Sequence, residues 1–452
     1  MQRTTEKWGE SPKIAVRTLK ADVLEGPDSG RSTWTSDERL TLGTAKGNDL
    51  VLGDETVSRF HLLVKRTDEG ILVVDQRSTN GTFVGPARLG EATVTPGTVI
   101  SLGRTRVRLA HGQDTDIELH DDARLGPLFG TSIPMRRVMA WVRRAAASES
   151  SVLLSGESGT GKDVVARAIH QLGSRAAMPF VTVDCGALAP SLVASELFGH
   201  ERGAFTGAER QHTGALEQAH GGTLFLDEIG ELPRELQSVL LGALERRSFR
   251  RVGGKTDVNV DVRVIAASNK NLKTEVNSGG FRLDLYYRLA VLPLELPPLR
   301  DRREDIPLLL DHFFSELGHS GGPAAILPAD VREAIGKHDW PGNVRELRNF
   351  AEATLALGSL ARPGSGAHDV IDRVGSPAET NGAASVDPNT LPIGELLDVP
   401  FKDARQRALL AFEERYLARL LTKTGGNVSQ AARDAGLDRS YLFSLLRRSG
   451  LR

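Results

Sequence analysis

Gly156-Glu157-Ser158-Gly159-Thr160-Gly161-Lys162-Asp163 is the stretch on which the reading of this 452-residue chain turns. An apolar, strand-like run, Val152-Leu153-Leu154, precedes it, and a helical pattern from Asp163 to Leu172 follows. Glycines at these spacings let the backbone wrap a phosphate, with several N–H groups and a helix N-terminus facing it while Lys162 neutralises charge. A glycine-rich turn alone is usually only a turn. The strand before it, the lysine within it and the helix after it make this one a nucleotide site, formed by Gly156 to Lys162 with Asp163 beside them. The Ser or Thr that usually follows the lysine is Asp163, so the hydroxyl ligand to Mg²⁺ is missing and the metal must rely on other groups.

About 65 residues further on, Thr223-Leu224-Phe225-Leu226-Asp227-Glu228 reads as an apolar strand ending in two carboxylates. There Asp227 is expected to hold Mg²⁺ through water and Glu228 to orient the attacking water. Such a pair is common surface chemistry by itself. Behind a phosphate loop it completes a site for NTP hydrolysis, a reaction that needs positioning and charge stabilisation more than covalent help.

Working outward, the rhythm over 126–296 is that of alternating strands and helices around a parallel sheet. Over 13–112 it is different. Short alternating segments such as Phe60 to Arg66 and Gly70 to Gln76 are split by turn signals at Asp68-Glu69-Gly70 and Pro96-Gly97, which predicts an all-β sandwich. Residues 362–395, rich in Pro, Gly, Ser and Ala, read as a flexible linker. Beyond it, Leu409, Phe412, Tyr416 and Leu420 recur at helical spacing, so 396–452 is expected to be a compact all-α domain.

The bulk numbers agree with several domains. The length exceeds what one core organises, and 40% hydrophobic with 25% charged residues is ordinary soluble composition. The net charge of −1 hides a basic end: Pro400 to Arg452 carries 11 Lys and Arg against 5 Asp and Glu, the place to look for a polyanion. A single cysteine, Cys185, excludes an intrachain disulfide framework. With no apolar run of membrane-spanning length and a polar start, a cytoplasmic protein without membrane partners is expected.

From about Leu128 to Leu360 the chain resembles the AAA+ domain of bacterial sigma-54-dependent activators. The resemblance is carried by Glu196-Leu197-Phe198-Gly199-His200, Gly203-Ala204-Phe205-Thr206-Gly207-Ala208, the Asp227-Glu228 strand, Phe281 to Leu289, Leu296 to Arg300 and Trp340 to Leu347. It implies a helical lid over 297–361 and ATP as the nucleotide. It also implies that Gly203 to Ala208 form a mobile loop contacting sigma-54 RNA polymerase; an exposed aromatic such as Phe205 at a glycine-flanked tip suits an interaction site. By the same resemblance Asn269 is a γ-phosphate sensor, Arg282 and Arg288 act in trans on a neighbouring subunit's ATP, and Arg345 is a second sensor on the lid. Subunits would then assemble as homo-oligomers, dimer to hexamer. At Asp184 the family commonly has Asn, which holds the catalytic glutamate; an aspartate cannot donate in that way and would repel Glu228.

The sandwich resembles a forkhead-associated (FHA) domain over about Arg39 to Leu109, on Leu42-Gly43, Asn48-Asp49-Leu50, Ser58-Arg59-Phe60-His61 and Ser78 to Phe83. Ser58, Arg59 and Thr79 are donors suited to a phosphate, and Asn80 suits a peptide backbone. His61 is expected to pack beneath the loop. The arginine that usually follows Gly43 and grips the phosphate is Thr44 here, with Lys46 as a possible substitute. The implied partner is a phosphothreonine protein or an upstream Ser/Thr kinase; the alternative is an FHA fold kept for protein contacts without phosphate.

At the basic end, Asn427 suits a helix N-cap and Gly436 a helix stop. The following helix, Asp438 to Arg448, would present Arg439, Ser440, Tyr441, Ser444, Arg447 and Arg448 to DNA in helix-turn-helix geometry. It resembles the Fis-type domain of the same activators and implies binding to upstream enhancer DNA. Together these readings describe a multidomain transcription activator driven by ATP hydrolysis. Two alternatives stay open: a remodeller of some other protein, and a phosphopeptide-binding DNA adaptor with a vestigial ATPase.

Overall fold

In the computed structural model, which describes residues 12–35, 38–187, 189–319, 322, 326–357 and 424, the run before the glycine-rich loop is an inner strand of a five-stranded sheet. The order is Phe180–Asp184, Thr223–Asp227, Arg263–Ser268, Val152–Ser155, Leu292–Glu295, all parallel. Parallel strands deliver all their C-terminal ends to one edge, which is where such sheets bind ligands. Here that edge carries the loop after Ser155, the pair Asp227-Glu228 and the Ser268-Asn269 step.

Strands covered by helices on both faces read as continuous apolar runs, and the inner strand Arg263–Ser268 is buried at all six positions. One face packs Val142, Val165, Ile169, Phe225 and Ile265 together; the other gathers Leu197, Leu216, Leu226, Leu240 and Leu285. Arg263 is tolerated inside because its guanidinium donates to the carbonyl of Ala145, 2.6 Å away in the last turn of helix Ile133–Ala146. That helix begins where its sequence says it should. Ser132 caps it through the N–H of Met135, proline follows in the first turn, and Arg143 and Arg144 close its C-terminal end.

Three helices, Ile306–Glu316, Ala329–Lys337 and Asn343–Leu357, form a lid around the fully buried Trp340, whose indole N–H donates to the carbonyl of Ile335. The lid is pinned to the sheet domain by Asp305. Its buried carboxylate accepts from the N–H groups of Thr131 (2.6 Å) and Ser132 (2.8 Å) and from the Ser132 hydroxyl (2.7 Å).

The N-terminal region is the expected β-sandwich, of six and five strands. Alternation does the work: Ile71 and Val73 point inward along Gly70–Asp75, against Leu40, Leu42, Leu62 and Val64. The closing strand, Thr105–Glu118, continues past 112 because its far half pairs with the first strand, Lys13 opposite Glu118. Ala45 and Phe60 are buried but lie outside the sandwich core; both pack with the core on one face of the parallel sheet. The segments expected to be linker and C-terminal helical domain, apart from Thr424, lie outside the described residues, and with them Arg439, Ser440, Tyr441, Ser444, Arg447 and Arg448.

Candidate nucleotide-hydrolysis site

Lys162 opens the helix Lys162–Gln171 and is almost fully buried. Its ammonium donates to the carbonyls of Gly156 (3.0 Å) and Glu157 (3.3 Å), so the charge is held inside the curl of the loop. Glu228 lies 3.7 Å from the same ammonium. The loop is held shut on one side by Thr160, whose hydroxyl donates to the carbonyl of Glu157 at 2.9 Å. Ser158 is exposed at the tip, and Asp163 is exposed in the first turn of the helix, where a negative charge suits the dipole. A buried ammonium ringed by main chain at a helix N-terminus fits a polyphosphate.

Asp227 and Glu228 stand at the strand end as expected. Burial is the main cause that pushes the Asp227 carboxyl above the usual aspartate range, with smaller contributions from the charges of Glu228 and Asp184, against Lys162. Glu228 adopts φ +47°, a left-handed conformation that costs a non-glycine residue energy and tends to cluster at functional positions. Its carboxylate accepts from the main-chain N–H of Asn269 at 2.9 Å. The sensor position and the carboxylate therefore touch through backbone.

Asp184, expected to repel Glu228, also has partners in its own loop. Its carboxylate turns to its own loop and accepts from the N–H groups of Gly186 (2.9 Å) and Ala187 (3.1 Å). An aspartate satisfies that turn as well as an asparagine oxygen would, and its charge is felt at Asp227.

The lid contacts other than that of Arg345 are what sequence reading missed. Arg345 donates to the Ser158 hydroxyl at 2.9 Å. Fully buried Asn343 donates to Glu157 (3.1 Å) and to the Ser158 carbonyl (3.0 Å), and Arg300 forms a two-toothed pair with Glu157. That pairing with Arg300 is the largest cause holding the Glu157 carboxyl below its ordinary range. Arg302 is buried, donates to the Thr160 carbonyl at 2.8 Å, and is pushed down to about 10 by desolvation. Gly159, at φ +78°, is required by close approach: a Cβ there would lie 2.2 Å from the carbonyl of Gly342 on the lid. Asn343 and Arg300 sit inside quoted motifs, so the signal was present, but only the fold says what they touch.

Arg282 is the N-cap of the short helix Leu283–Leu289, and Arg288 lies in its last turn. Arg282 pairs with Asp284 at 2.8 Å, and Arg288 donates to the Leu244 carbonyl at 2.9 Å, so their polar partners lie away from the loop of their own chain.

The loop Gly203 to Ala208 is a tight return, closed by the Gly203 N–H on the Ala208 carbonyl at 2.9 Å. Phe205 is 42% exposed, resting an edge on His200 at 4.9 Å between ring centroids. Its base is rigid: His200 bridges to His212, and Arg251 donates to both Glu201 and Glu217 at 2.8 Å. An exposed tip on a clamped base suits a contact site.

In the sandwich, Ser58 and Thr79 meet at the loop end, the Thr79 N–H donating to the Ser58 hydroxyl at 3.0 Å. Beneath them buried His61 accepts from the Ser58 N–H, and burial lowers its pKa, so it is structural as expected. Asn80 is turned to the Thr56 carbonyl at 2.8 Å. Arg59 and Lys46 are exposed.

Comparison with known proteins agrees with this geometry. The family described as Sigma-54 interaction domain matches residues 128–295, and the AAA+ ATPase lid domain matches 300–362. Residues 22–113 match the family described as inner membrane component of T3SS, cytoplasmic domain. The DNA-binding transcriptional regulator NtrC of Bradyrhizobium is 39% identical over 427 residues, covering 88% of this chain and 87% of the relative. The ZraR transcriptional regulatory protein of Escherichia coli is 41% identical, over 71% of this chain and 68% of its own. NtrX of Brucella abortus in complex with ATP is 36% identical, covering 73% of this chain and 70% of that one, with a TM-score of 0.49. This chain belongs to the sigma-54-dependent transcriptional activators of the NtrC type, with their AAA+ ATPase domain and a β-sandwich at its N-terminal side.

Proposed function

We propose that this activator converts ATP hydrolysis into a push on sigma-54 RNA polymerase through the loop Gly203 to Ala208, opening promoters from upstream DNA. The observation that carries this reading is the exposed Phe205-Thr206 tip on a base clamped by Arg251. An exposed aromatic at the tip of a supported loop, in the position the family uses for contact, favours a partner outside the chain.

In this reading the main chain of Gly156 to Gly161 and the ammonium of Lys162 hold the phosphates, while Arg345, bonded to Ser158 of the loop, reports on them from the lid. Asp227 would hold Mg²⁺ through water, which supplies charge neutralisation when bound. Glu228 orients the attacking water, and Asn269 couples its position to the nucleotide. Arg282 and Arg288 complete a neighbouring subunit's site in a ring, stabilising transition-state charge. Ser58, Arg59, Thr79 and Asn80 read a phosphothreonine partner, and the C-terminal helix-turn-helix holds the enhancer.

Thr206→Ala tests the division of labour. ATP turnover should stay within about twofold while open-complex formation by purified polymerase is lost, whereas Lys162→Ala should lower turnover by on the order of a hundredfold or more. Equal loss of both activities in the Thr206 variant would contradict a dedicated coupling loop.

A further inference from the structure

Thr44 leaves the loop end of the sandwich one cation short of what a phosphate dianion calls for, yet guanidinium groups gather beside it. The Thr44 N–H donates to the Ser58 carbonyl at 3.1 Å and the Ala45 N–H to the Arg59 carbonyl at 3.0 Å. The loop that lacks the arginine therefore runs alongside the loop that carries the phosphate-directed donors. Both are fixed against the ATPase. Asn277, on helix Leu272–Ser278, donates to the carbonyls of Phe60 (2.6 Å) and Gln76 (2.9 Å), and the Tyr287 hydroxyl accepts from the Gly47 N–H at 3.4 Å. Buried Phe60 packs edge to face on Tyr286, 5.2 Å between ring centroids.

Arg59 of the sandwich and Arg234 and Arg282 of the ATPase line one cavity of about 500 Å³, where Phe281 and Tyr287 supply apolar wall. Among the described residues Asp284 is the one carboxylate lining it, and Arg282 takes it at 2.8 Å. Three guanidinium groups thus face one paired carboxylate. Their donors are largely unspent. Arg234 uses one N–H on the Gly279 carbonyl at 2.6 Å, Arg282 uses two on Asp284, and the Arg59 guanidinium has no hydrogen-bond partner among the described residues. Like charges gathered around one cavity favour an anion between them, and a phosphate accepts from several guanidinium forks at once.

We propose that the phosphate-reading site is composite: Arg234 of the ATPase domain supplies the cation missing at Thr44, and a phosphothreonine peptide binds across the cavity between Arg59 and Arg234. This deepens the phosphothreonine reading given above and rests on it. The phosphate takes guanidinium donors from both domains, with the remaining Arg282 donor within the same cavity. The Phe281 and Tyr287 wall takes an apolar side chain next to the phosphothreonine. The ligand class is therefore a phosphothreonine peptide with an apolar neighbour, rather than a bare phosphate ion.

The test follows fluorescence anisotropy of a labelled degenerate phosphothreonine peptide library, and of the same library with threonine, on the full-length chain without nucleotide. Arg234→Gln, with an unchanged melting curve, should weaken phosphate-dependent binding by roughly tenfold to a hundredfold, the range for one charge-assisted hydrogen bond. Arg234→Lys, which keeps the charge but not the fork, should lose less. Adding Thr44→Arg to Arg234→Gln should recover the loss, because the two arginines serve one phosphate. Inorganic phosphate should compete far more weakly than unlabelled phosphopeptide. Binding unchanged in folded Arg234→Gln protein overturns the composite site; if Ser58→Ala still abolishes it, the sandwich reads phosphate by itself and the earlier reading stands. A loss that Thr44→Arg does not recover makes Arg234 a structural residue and overturns the site as well. Inorganic phosphate competing as well as the peptide overturns it in favour of a simple anion site. No preference of the unaltered chain for the phosphorylated library removes the phosphothreonine reading, and the composite site with it.

Discussion

The glycine-rich loop and the Ser58–Thr79 loops are both proposed to meet phosphate, yet they are built from different materials. The first uses main chain and one buried lysine, with a lid pressed onto it through Asn343, Arg300, Arg302 and Arg345. The second offers exposed or half-exposed side chains on a sandwich rim, joined to one another by few bonds. A backbone-built site tolerates side-chain change, so Asp163 after the lysine leaves the loop intact. A side-chain-built site does not: one residue, Thr44 in place of arginine, removes the cation that the fold was expected to supply.

Breaking the lid's hold should give the largest effect. Asn343 is fully buried and donates to Glu157 and Ser158 while accepting from the Leu299 N–H at 2.7 Å. Asn343→Ala leaves buried polar groups unpaired, at a cost of about 2–4 kcal/mol. A lowered melting temperature and a raised KM for ATP should appear together. A variant with unchanged KM would mean that the lid does not shape the nucleotide loop.

Restoring the missing cation should sharpen the other side of the comparison. Thr44→Arg should tighten binding of a phosphothreonine peptide library by roughly tenfold to a hundredfold, since a charge-assisted hydrogen bond contributes about 1.5–3 kcal/mol. Fluorescence anisotropy against the unphosphorylated library is the check. Absence of phosphate-dependent binding in both proteins would favour an FHA fold kept for protein contacts alone.

The smallest effect concerns Asp184. Its charge helps to hold the Asp227 carboxyl above the ordinary aspartate range, though less than burial does. A raised pKa means that the ionised form is lost at a higher pH on acidification. Asp184→Asn should therefore move the acid limb of the turnover profile to lower pH by a fraction of a unit. A limb that stays put would show that the Asp184 charge is not felt at the site.

How much of this was legible in the residues follows the same division. The strand–loop–helix around Lys162 and the carboxylate pair were readable because glycine spacing and apolar runs state backbone geometry directly. The sandwich was readable from alternation at positions such as Ile71 and Val73. The seat of the lid was not, because Arg302, Asp305 and Asn343 gain meaning only when residues more than a hundred positions apart meet. The same holds for Phe60: in the sequence it is one apolar residue of a sandwich loop, and only packing assigns it to another domain's core. Asp184 adds a further lesson: its hydrogen bonds to the N–H groups of Gly186 and Ala187 are set by its own loop and could not be read from the family comparison.

The most direct test of the central claim is capture of purified sigma-54 by the full-length protein on a native gel, with ATP replaced by a transition-state analogue of its hydrolysis. The account predicts capture that depends on the analogue and vanishes in Thr206→Ala protein that still hydrolyses ATP. Normal hydrolysis with no capture of sigma-54 by the unaltered chain would contradict it and point to a different remodelling target.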